Sequence, residues 1–290
     1  MTDFLRVADL GDRLGEVVAL ARRLKDDRSI GAGHLAGRQV GLFFEKPSLR
    51  TRVSTEVSIR RLGGDPVVLT AEGIGLGTRE AVADVARVLD RMLDAIAMRV
   101  FDHRTLEAIA LHARAPVVNL LSDRAHPCQA LADLATIEDH KPVADSVVTY
   151  VGDANNVAVS LAWGVHLMGG EARIAAPPGY RVEPSILPEG VVVFDDPVEA
   201  VIGADVVYTD VWTSMGQEAE REARLRAFAG WSVDLALFRR AEPDAIFLHC
   251  LPAHRGEEVA SEVMEHPRSR VFDQAEYRLH SFSALLLTLL

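Results

Sequence analysis

The sequence predicts an α/β protein with parallel sheets, because strand-like and helix-like patterns alternate from beginning to end. Short apolar runs recur between longer segments whose apolar side chains follow helical spacing. A polar segment at residues 138–142 interrupts the alternation, which then restarts, and 290 residues suffice for two domains. We therefore predict two doubly wound domains, residues 1–140 and residues 141–275.

The first domain is predicted to contain strands that alternate with helices. Its strand candidates are Val40–Phe44, Pro66–Leu69, Ala95–Arg99 and Pro116–Leu120. Its helix candidates are an N-terminal stripe of Leu10, Leu14, Val17, Ala21 and Leu24, the segment after Ser48, the stretch Arg79–Met92 and a segment that begins near His126. Gly63 and Gly64 end the second of these helices.

The second domain repeats this arrangement. Its predicted elements are strand Ser146–Val151, a turn at 152–156, helix Ala158–Leu167, strands Arg173–Ala176, Val191–Phe194, Val206–Thr209 and Ile246–Cys250, and a terminal helix Ala275–Leu290. Ligands of such sheets bind at the carboxyl ends of the strands. Polar motifs follow several of these strand ends, so we expect the functional residues there.

Composition argues against several classes of function. The net charge of −11 offers no sequence-wide basic field for nucleic acid or an acidic membrane. No apolar run is long enough to span a bilayer, and the N-terminus lacks the pattern of a signal or transit peptide. Two cysteines in this length indicate a reducing compartment, and we predict a cytoplasmic protein.

Residues 44–52 have the features of a phosphate-binding turn. Pro47 ends the strand and Ser48 is a good helix N-cap, so free backbone N–H groups are expected at residues 48–52. Arg50 adds a fork of donors that matches phosphate oxygens, while Ser48 and Thr51 add hydroxyls. The alternative is an ordinary capped helix with exposed arginines.

Two further segments carry polar groups suited to a ligand. His126 and Gln129 project from one face of a helix whose first position suits Pro127. Asn156 follows a strand and opens a helix, where a carboxylate would be stabilised. The turn at 152–156 lacks the second and third glycines of a dinucleotide fingerprint, which makes a nucleotide site there a weak alternative.

Together, four motifs resemble the carbamoyltransferase family, and most closely its ornithine-specific members. They are Ser48-x-Arg50-Thr51-Arg52, His126-Pro-Cys-Gln129, Asp210-x-x-x-Ser214-Met-Gly216 and His249-Cys-Leu-Pro252. The resemblance implies two domains joined by interdomain helices, with the C-terminal helix 276–290 packed on the first domain and the active site between the domains. It also implies a homotrimer or an assembly of trimers, and no metal or organic cofactor.

The same resemblance implies roles for individual residues. Those expected to bind carbamoyl phosphate are Ser48, Leu49, Arg50, Thr51, Arg99, His126, Gln129, Leu251 and Arg278. Those expected to bind the amino acid are Asn156, Asp210, Ser214 and Met215. The residues expected to act in catalysis are Arg99, His126, Gln129, Asp210, Cys250 and Arg278. Arg52 is expected to pair with an acidic residue, and Cys128 to be a packing residue.

A Cys–His nucleophile pair at His249 and Cys250 is a less favoured alternative. Adjacent strand residues point to opposite faces of a sheet, so these two side chains should not form a dyad. The resemblance instead implies that the Cys250 sulfur and Asp210 orient the attacking amine, without a covalent intermediate.

Three positions depart from the pattern of the family. Leu49 stands where the family usually has Thr, and Thr55 replaces a usual Phe on the buried face of the helix. Gly75 occupies a place often held by Gln or His, whose side chain reaches the neighbouring subunit's phosphate site; Thr78 or Arg79 are candidates to replace it.

The resemblance implies transfer of the carbamoyl group from carbamoyl phosphate to the side-chain amine of L-ornithine, giving L-citrulline and phosphate. Three alternatives remain open at this stage. The amine could be lysine, putrescine or an acylated ornithine; the departures at Leu49, Thr55 and Gly75 could indicate a weakly active binding paralogue; and a nucleotide-binding oxidoreductase is a distant third.

Overall fold

The computed structural model describes residues 3–76, 79–214 and 216–290, which form two compact units. The first unit comprises the described residues up to Ala135 together with Glu276–Leu290, and the second comprises Thr136–Ala275. Each unit is built around one parallel sheet with helices, which confirms the predicted fold class.

The sheet of the first unit has the strand order β2-β1-β3-β4, with all pairs parallel. Its strands are β1 (Gln39–Phe44), β2 (Asp65–Thr70), β3 (Ala95–Arg99) and β4 (Val117–Leu121). The strand β3 is buried along its whole length. Because the whole strand is buried, its sequence is a continuous apolar run, and the ends of that run predicted both ends of β3.

The helices of the first unit begin with a 3₁₀ segment at Val7–Arg13. They continue as α1 (Leu14–Asp26), α2 (Leu49–Arg61), α3 (Ala71–Ile74), α4 (Val82–Leu89), α5 (His103–His112) and α6 (Pro127–His140). The prediction of one helix over Arg79–Met92 was too long. Helix α4 ends at Leu89, after which the backbone N–H groups of Arg91 and Met92 bond to carbonyls three residues back, those of Val88 and Leu89, at 3.2 and 3.0 Å.

The second unit holds five parallel strands in the order β7-β6-β5-β8-β9. They are β5 (Val147–Val151), β6 (Glu171–Ala175), β7 (Val192–Phe194), β8 (Val206–Thr209) and β9 (Ile246–His249). Its helices are α7 (Asn156–Leu167), α8 (Pro197–Val201), α9 (Arg221–Ala227), α10 (Leu235–Phe238) and α11 (Ser261–Met264). Three short 3₁₀ segments lie at Val143–Asp145, Pro184–Ile186 and Glu218–Glu220.

The C-terminal helix α12 (Val271–Leu289) starts four residues before its predicted start at Ala275. Both unit boundaries fall inside helices, one in α6 and one in α12. From Glu276 onward α12 belongs to the first unit, where the Ser58 hydroxyl of α2 lies 2.7 Å from the Leu279 carbonyl oxygen. The expected packing of this helix on the first domain is therefore confirmed.

Each unit has its own hydrophobic core. The core of the first unit includes Phe43, Ile96, Met98, Leu106 and Ile109. The core of the second unit includes Val151, Val207, Phe228, Phe238 and Phe247. In the part of the chain that the structure describes, no helix combines the length and apolarity needed to cross a membrane.

Candidate active site

In the first unit, the turn between β1 and α2 builds a capped helix N-terminus. Ser48 is the N-cap, and its hydroxyl oxygen accepts a hydrogen bond from the Thr51 backbone N–H at 3.4 Å. Leu49 is exposed and Thr51 is buried. The backbone N–H groups of the first turn and the positive end of the helix dipole make this terminus suitable for an anion.

Arg278 of α12 connects two of the predicted motifs. Its guanidinium donates to the Thr51 hydroxyl oxygen at 3.2 Å and to Oε1 of Gln129 at 2.6 Å. Arg278 is only 4% exposed. Residues from α2, α6 and α12 that are far apart in sequence therefore meet in one hydrogen-bonded group.

His126 lies next to a cationic cluster, which we define as Lys46, Arg50, Arg99 and Arg278. Burial of the imidazole holds the pKa of His126 well below its ordinary value, and Arg278, Arg99, Lys46 and Arg50 lower this pKa further, in that order. The imidazole is therefore neutral at physiological pH. A neutral ring beside several cations is suited to donate or accept a hydrogen bond rather than to carry a charge.

Arg99 and Lys46 belong to the same region. Arg99 ends β3 and is 6% exposed. Burial and the neighbouring Arg99 lower the pKa of Lys46, whose Nζ lies 4.5 Å from the ring centroid of Phe101. Sequence reasoning missed Lys46, although its position immediately before Pro47, in the turn between β1 and α2, could have indicated it.

Two residues of these motifs were expected to be structural. Arg52 points away into solvent and its Nε donates to Oε1 of Glu56 at 2.8 Å, so Glu56 is its acidic partner. Cys128 is buried, and burial raises the pKa of its thiol to about 12. A thiol with that pKa is a packing group rather than a nucleophile.

Two of the three departures from the family pattern, Thr55 and Gly75, have identifiable local environments. The Thr55 hydroxyl donates to the Thr51 carbonyl at 2.8 Å, which satisfies it inside the helix. Gly75 has φ +64° and caps the end of α3, a conformation that a larger side chain would adopt only with strain. Arg79 is exposed, and Thr78 lies outside the described residues.

In the second unit, Asp210 follows β8 and is 5% exposed. Its Oδ1 accepts hydrogen bonds from the Val211 backbone N–H at 2.8 Å and from the Cys250 thiol at 2.9 Å. Its Oδ2 accepts from Nδ2 of Asn155 at 2.9 Å. Three donors thus fix the orientation of the carboxylate at the carboxyl end of the sheet.

The helix that was predicted to start near Asn156 is capped by its neighbour. Asn155 is the N-cap of α7 and accepts from the backbone N–H groups of Val157 and Ala158 at 2.8 and 3.3 Å. Asn156 is the first helical residue and is half-buried. Sequence reasoning missed Asn155, although Asn is a favoured N-cap residue.

The loop after β8 holds the remaining amino-acid-binding candidates. The Ser214 backbone N–H donates to Oε1 of Gln217 at 3.1 Å, which closes a small turn. Ser214 is half-buried, and Met215 lies outside the described residues.

His249 and Cys250 point to different partners, as expected for adjacent strand residues. Nδ1 of His249 accepts from the Leu251 backbone N–H at 2.9 Å, and Nε2 lies 3.2 Å from Oε1 of the fully buried Glu258. Leu251 has φ +57° and precedes a cis peptide bond to Pro252. The Cys250 thiol is directed to Asp210, so the two side chains do not form a nucleophile dyad.

A buried ion pair ties the loop of Asp210 to the end of β5. Arg224 donates to Oδ2 of Asp153 and to the Trp212 carbonyl, both at 2.9 Å. Burial raises the pKa of Asp153 to about 6, although the adjacent Arg224 opposes this shift. Asp153 and Arg224 are 71 residues apart, which is why sequence patterns did not reveal the pair.

Two groups among the described residues have ligand atoms close enough for a metal ion. They are Asp210, His249 and Cys250, and separately His254, Glu257 and Glu258. In the first group the protein itself engages both ring nitrogens of His249 and the Cys250 thiol. In the second group Arg221 forms an ion pair with Glu257.

Comparison with known proteins identifies relatives over nearly the whole chain. Residues 2–139 match the family model of the aspartate/ornithine carbamoyltransferase carbamoyl-P binding domain, and residues 144–289 match the Asp/Orn binding domain of the same family. An ornithine carbamoyltransferase of Thermus thermophilus is 51% identical over 291 residues, which cover 99% of this chain and 96% of the relative.

Solved structures give the same result. A crystal structure of ornithine carbamoyltransferase from Thermus thermophilus aligns with a TM-score of 0.93 and 48% identity, covering 99% of this chain and 98% of that chain. The ornithine carbamoyltransferase from Pyrococcus furiosus aligns with a TM-score of 0.94 and 43% identity, covering 98% and 96%.

The two parallel-sheet units and the family models that match both of them therefore define a two-domain α/β carbamoyltransferase. The chain belongs to the aspartate/ornithine carbamoyltransferase family.

Proposed function

We propose that this protein transfers the carbamoyl group of carbamoyl phosphate to the side-chain amine of L-ornithine, producing L-citrulline and phosphate. The observation that carries the proposal is the cationic cluster around the neutral His126 in the first unit. In a chain with net charge −11, this local concentration of positive charge suits a small phosphorylated substrate.

The proposed phosphate ligands are Ser48, Leu49, Arg50, Thr51 and Arg99. Leu49 contributes its backbone N–H, which is present although Leu49 lacks the side-chain hydroxyl of the Thr that the family usually has here. Arg50 and Arg99 provide charge-assisted hydrogen bonds, and the N-terminus of α2 adds its dipole. Lys46 adds further positive potential at the same place.

His126, Gln129 and Arg278 are the proposed ligands of the carbamoyl group, together with the Leu251 carbonyl. Arg278 and a neutral N–H of His126 would stabilise the negative charge that develops on the carbonyl oxygen during attack. The amine nitrogen forms a bond to the carbonyl carbon, the bond from that carbon to the phosphate oxygen breaks, and the released phosphate is basic enough to take the proton that the nitrogen loses.

For the second substrate, the proposed ligands are Asn156, Asp210, Ser214 and Met215. The Asp210 carboxylate attracts a cationic side chain and would repel the side chain of aspartate. Asp210 and Cys250 orient the attacking amine, and no covalent intermediate forms. The names of the aligned relatives favour ornithine over lysine, putrescine or an acylated ornithine.

We also propose a homotrimer, or an assembly of trimers, in the cytoplasm, without nucleic-acid or membrane partners. Exposed apolar side chains on the first unit support an assembly, including Leu49 at 75% and Val53 at 53% exposure on one face of α2. Light scattering on the purified protein tests this, since a monomer would contradict it.

The decisive experiment measures citrulline formation, with lysine, putrescine and N-acetylornithine as parallel substrates. Arg50→Ala should lower kcat/KM for carbamoyl phosphate by roughly 10- to 150-fold, the value of one charge-assisted hydrogen bond. Arg52→Ala is the matched control, because Arg52 pairs with Glu56 and should leave kcat/KM within a few-fold. Equal losses in both variants, or turnover of no amine, would overturn the proposal.

A further inference from the structure

We infer that Asp133 is a positioning residue that fixes the orientation of the Gln129 side-chain amide, and thereby selects a carbamoyl over an acetyl group. This inference rests on the proposed function and deepens it. Nε2 of Gln129 donates to Oδ1 of Asp133 at 2.8 Å, while Oε1 of Gln129 accepts from Nη1 of Arg278 at 2.6 Å.

The chemistry of the two partners determines which way the amide points. A guanidinium has only donors, so the amide atom that faces Arg278 must be the oxygen. A carboxylate oxygen accepts, so the amide nitrogen must face Asp133. The orientation follows from the identity of the partners and not from an arbitrary choice between nitrogen and oxygen.

The complete burial of Asp133 costs free energy, which points to a functional role for its carboxyl group. It lies within α6 at 0% exposure, four residues after Gln129. Burying a carboxylate is expensive, and an apolar residue at such a position is often at least as stabilising. If the side chain at this position served only for packing, an apolar residue would therefore suffice.

Asp133 becomes more important when substrate binds. We have proposed that Arg278 contacts the carbamoyl oxygen, which would draw its guanidinium from Oε1 of Gln129. Asp133 then keeps the amide from flipping. The amide oxygen of Gln129 accepts a hydrogen bond from the NH₂ of a carbamoyl group, whereas the methyl of an acetyl group would leave that buried oxygen unpaired.

Two stable analogues of equal charge test this selection directly. Phosphonoacetamide carries NH₂ on its carbonyl, and acetonylphosphonate carries CH₃ in the same place. Wild-type protein should bind the amide tighter by at least roughly tenfold, because the Gln129 amide oxygen and the proposed Leu251 carbonyl both accept from its NH₂. Titration calorimetry gives both dissociation constants, and their ratio is the readout.

Asp133→Leu should lower this ratio severalfold, towards the part that the proposed Leu251 carbonyl contributes, while the affinity for acetonylphosphonate stays within about threefold, because the phosphate ligands are intact. Asp133→Asn should keep most of the ratio, since its carbonyl oxygen can still accept from Gln129. Asp139→Asn, an exposed change on the same helix, should leave the ratio unchanged. A purely structural role would weaken both ligands together and leave the ratio as in wild type, which would overturn the inference.

A second measurement applies if Asp133→Leu does not fold. With glutamine side chains labelled with ¹⁵N, the Gln129 NH₂ group of the wild-type protein should remain protected from exchange when phosphonoacetamide binds. Loss of that protection would overturn the inference. Failure of the wild-type protein to bind phosphonoacetamide or to form citrulline would instead contradict the proposed function.

Discussion

The Cys250 thiol donates a hydrogen bond to Oδ1 of Asp210 at 2.9 Å, while Nδ2 of Asn155 donates to Oδ2 of the same carboxylate. Cys250→Ser keeps a donor at this place, whereas Cys250→Ala leaves Asp210 with one donor fewer. We expect the alanine variant to raise KM for ornithine by roughly 3- to 10-fold, and the serine variant to raise it less. Steady-state kinetics at saturating carbamoyl phosphate measure this; equal effects of the two substitutions would contradict the role of the hydrogen bond.

The rate of the reaction should rise with pH in the alkaline range. The side-chain ammonium of ornithine, with a pKa near that of lysine at about 10.4, must lose a proton before its nitrogen can attack. We expect log(kcat/KM) for ornithine to rise with a slope close to one between about pH 7 and 9. A flat profile over that range would count against attack by a neutral amine, provided that the chemical step limits the rate.

The imidazole of His126 should contribute no ionisation near neutral pH. Burial and the neighbouring cations hold its pKa well below 6.5, so the ring is neutral in the folded protein. We expect the ring resonances of His126 to stay constant between about pH 6 and 8, and His126→Gln to lower kcat without moving the limbs of the pH–rate profile. A titration of the ring within that range would refute a neutral His126.

Several features of this fold were predictable because they depend on local patterns. The strands β3 and β8 were predicted with both ends correct, since each is a buried apolar run with a polar residue soon after it. The Asn155 cap was missed in favour of Asn156, because two adjacent asparagines leave the helix start ambiguous by one residue. The predicted roles of the site residues stay predictions until they are tested.

Other features depend on contacts that no local pattern encodes. In the sequence, Asp133 is only a polar residue in an otherwise apolar helix. The inferred role of Asp133 depends on the contact between Gln129 and Arg278, which are 149 residues apart. Lys46 gains its depressed pKa from burial and from Arg99 on a neighbouring strand. Such residues become visible only once tertiary structure brings the motifs together.

Asp153 should impose a specific pH dependence on stability. Its pKa is raised from 3.8 to about 6 in the folded state, so the folded protein retains a proton that the unfolded chain has lost at intermediate pH. This contribution to the free energy of unfolding amounts to about 3 kcal/mol in total. It is fully present below pH 3.8 and is lost as the pH rises through about 6. Urea unfolding of wild type and Asp153→Asn should show the stability difference shifting in favour of the variant as the pH rises. A pH-independent difference would contradict the raised pKa.

Two glycines with opposite surroundings should respond oppositely to alanine. A Cβ at Gly170 would lie 2.4 Å from the Val143 carbonyl oxygen, a backbone atom that cannot move aside cheaply. Gly170→Ala should therefore destabilise the protein by roughly 1–3 kcal/mol. Gly15 lies in α1, and among the described residues no atom outside its own stretch of helix backbone comes within 4 Å of the added Cβ. Gly15→Ala should therefore stabilise the protein by roughly 0.4–1 kcal/mol. Chemical denaturation of both variants measures the two effects, and destabilisation by Gly15→Ala would show that crowding at Gly170 does not explain the contrast.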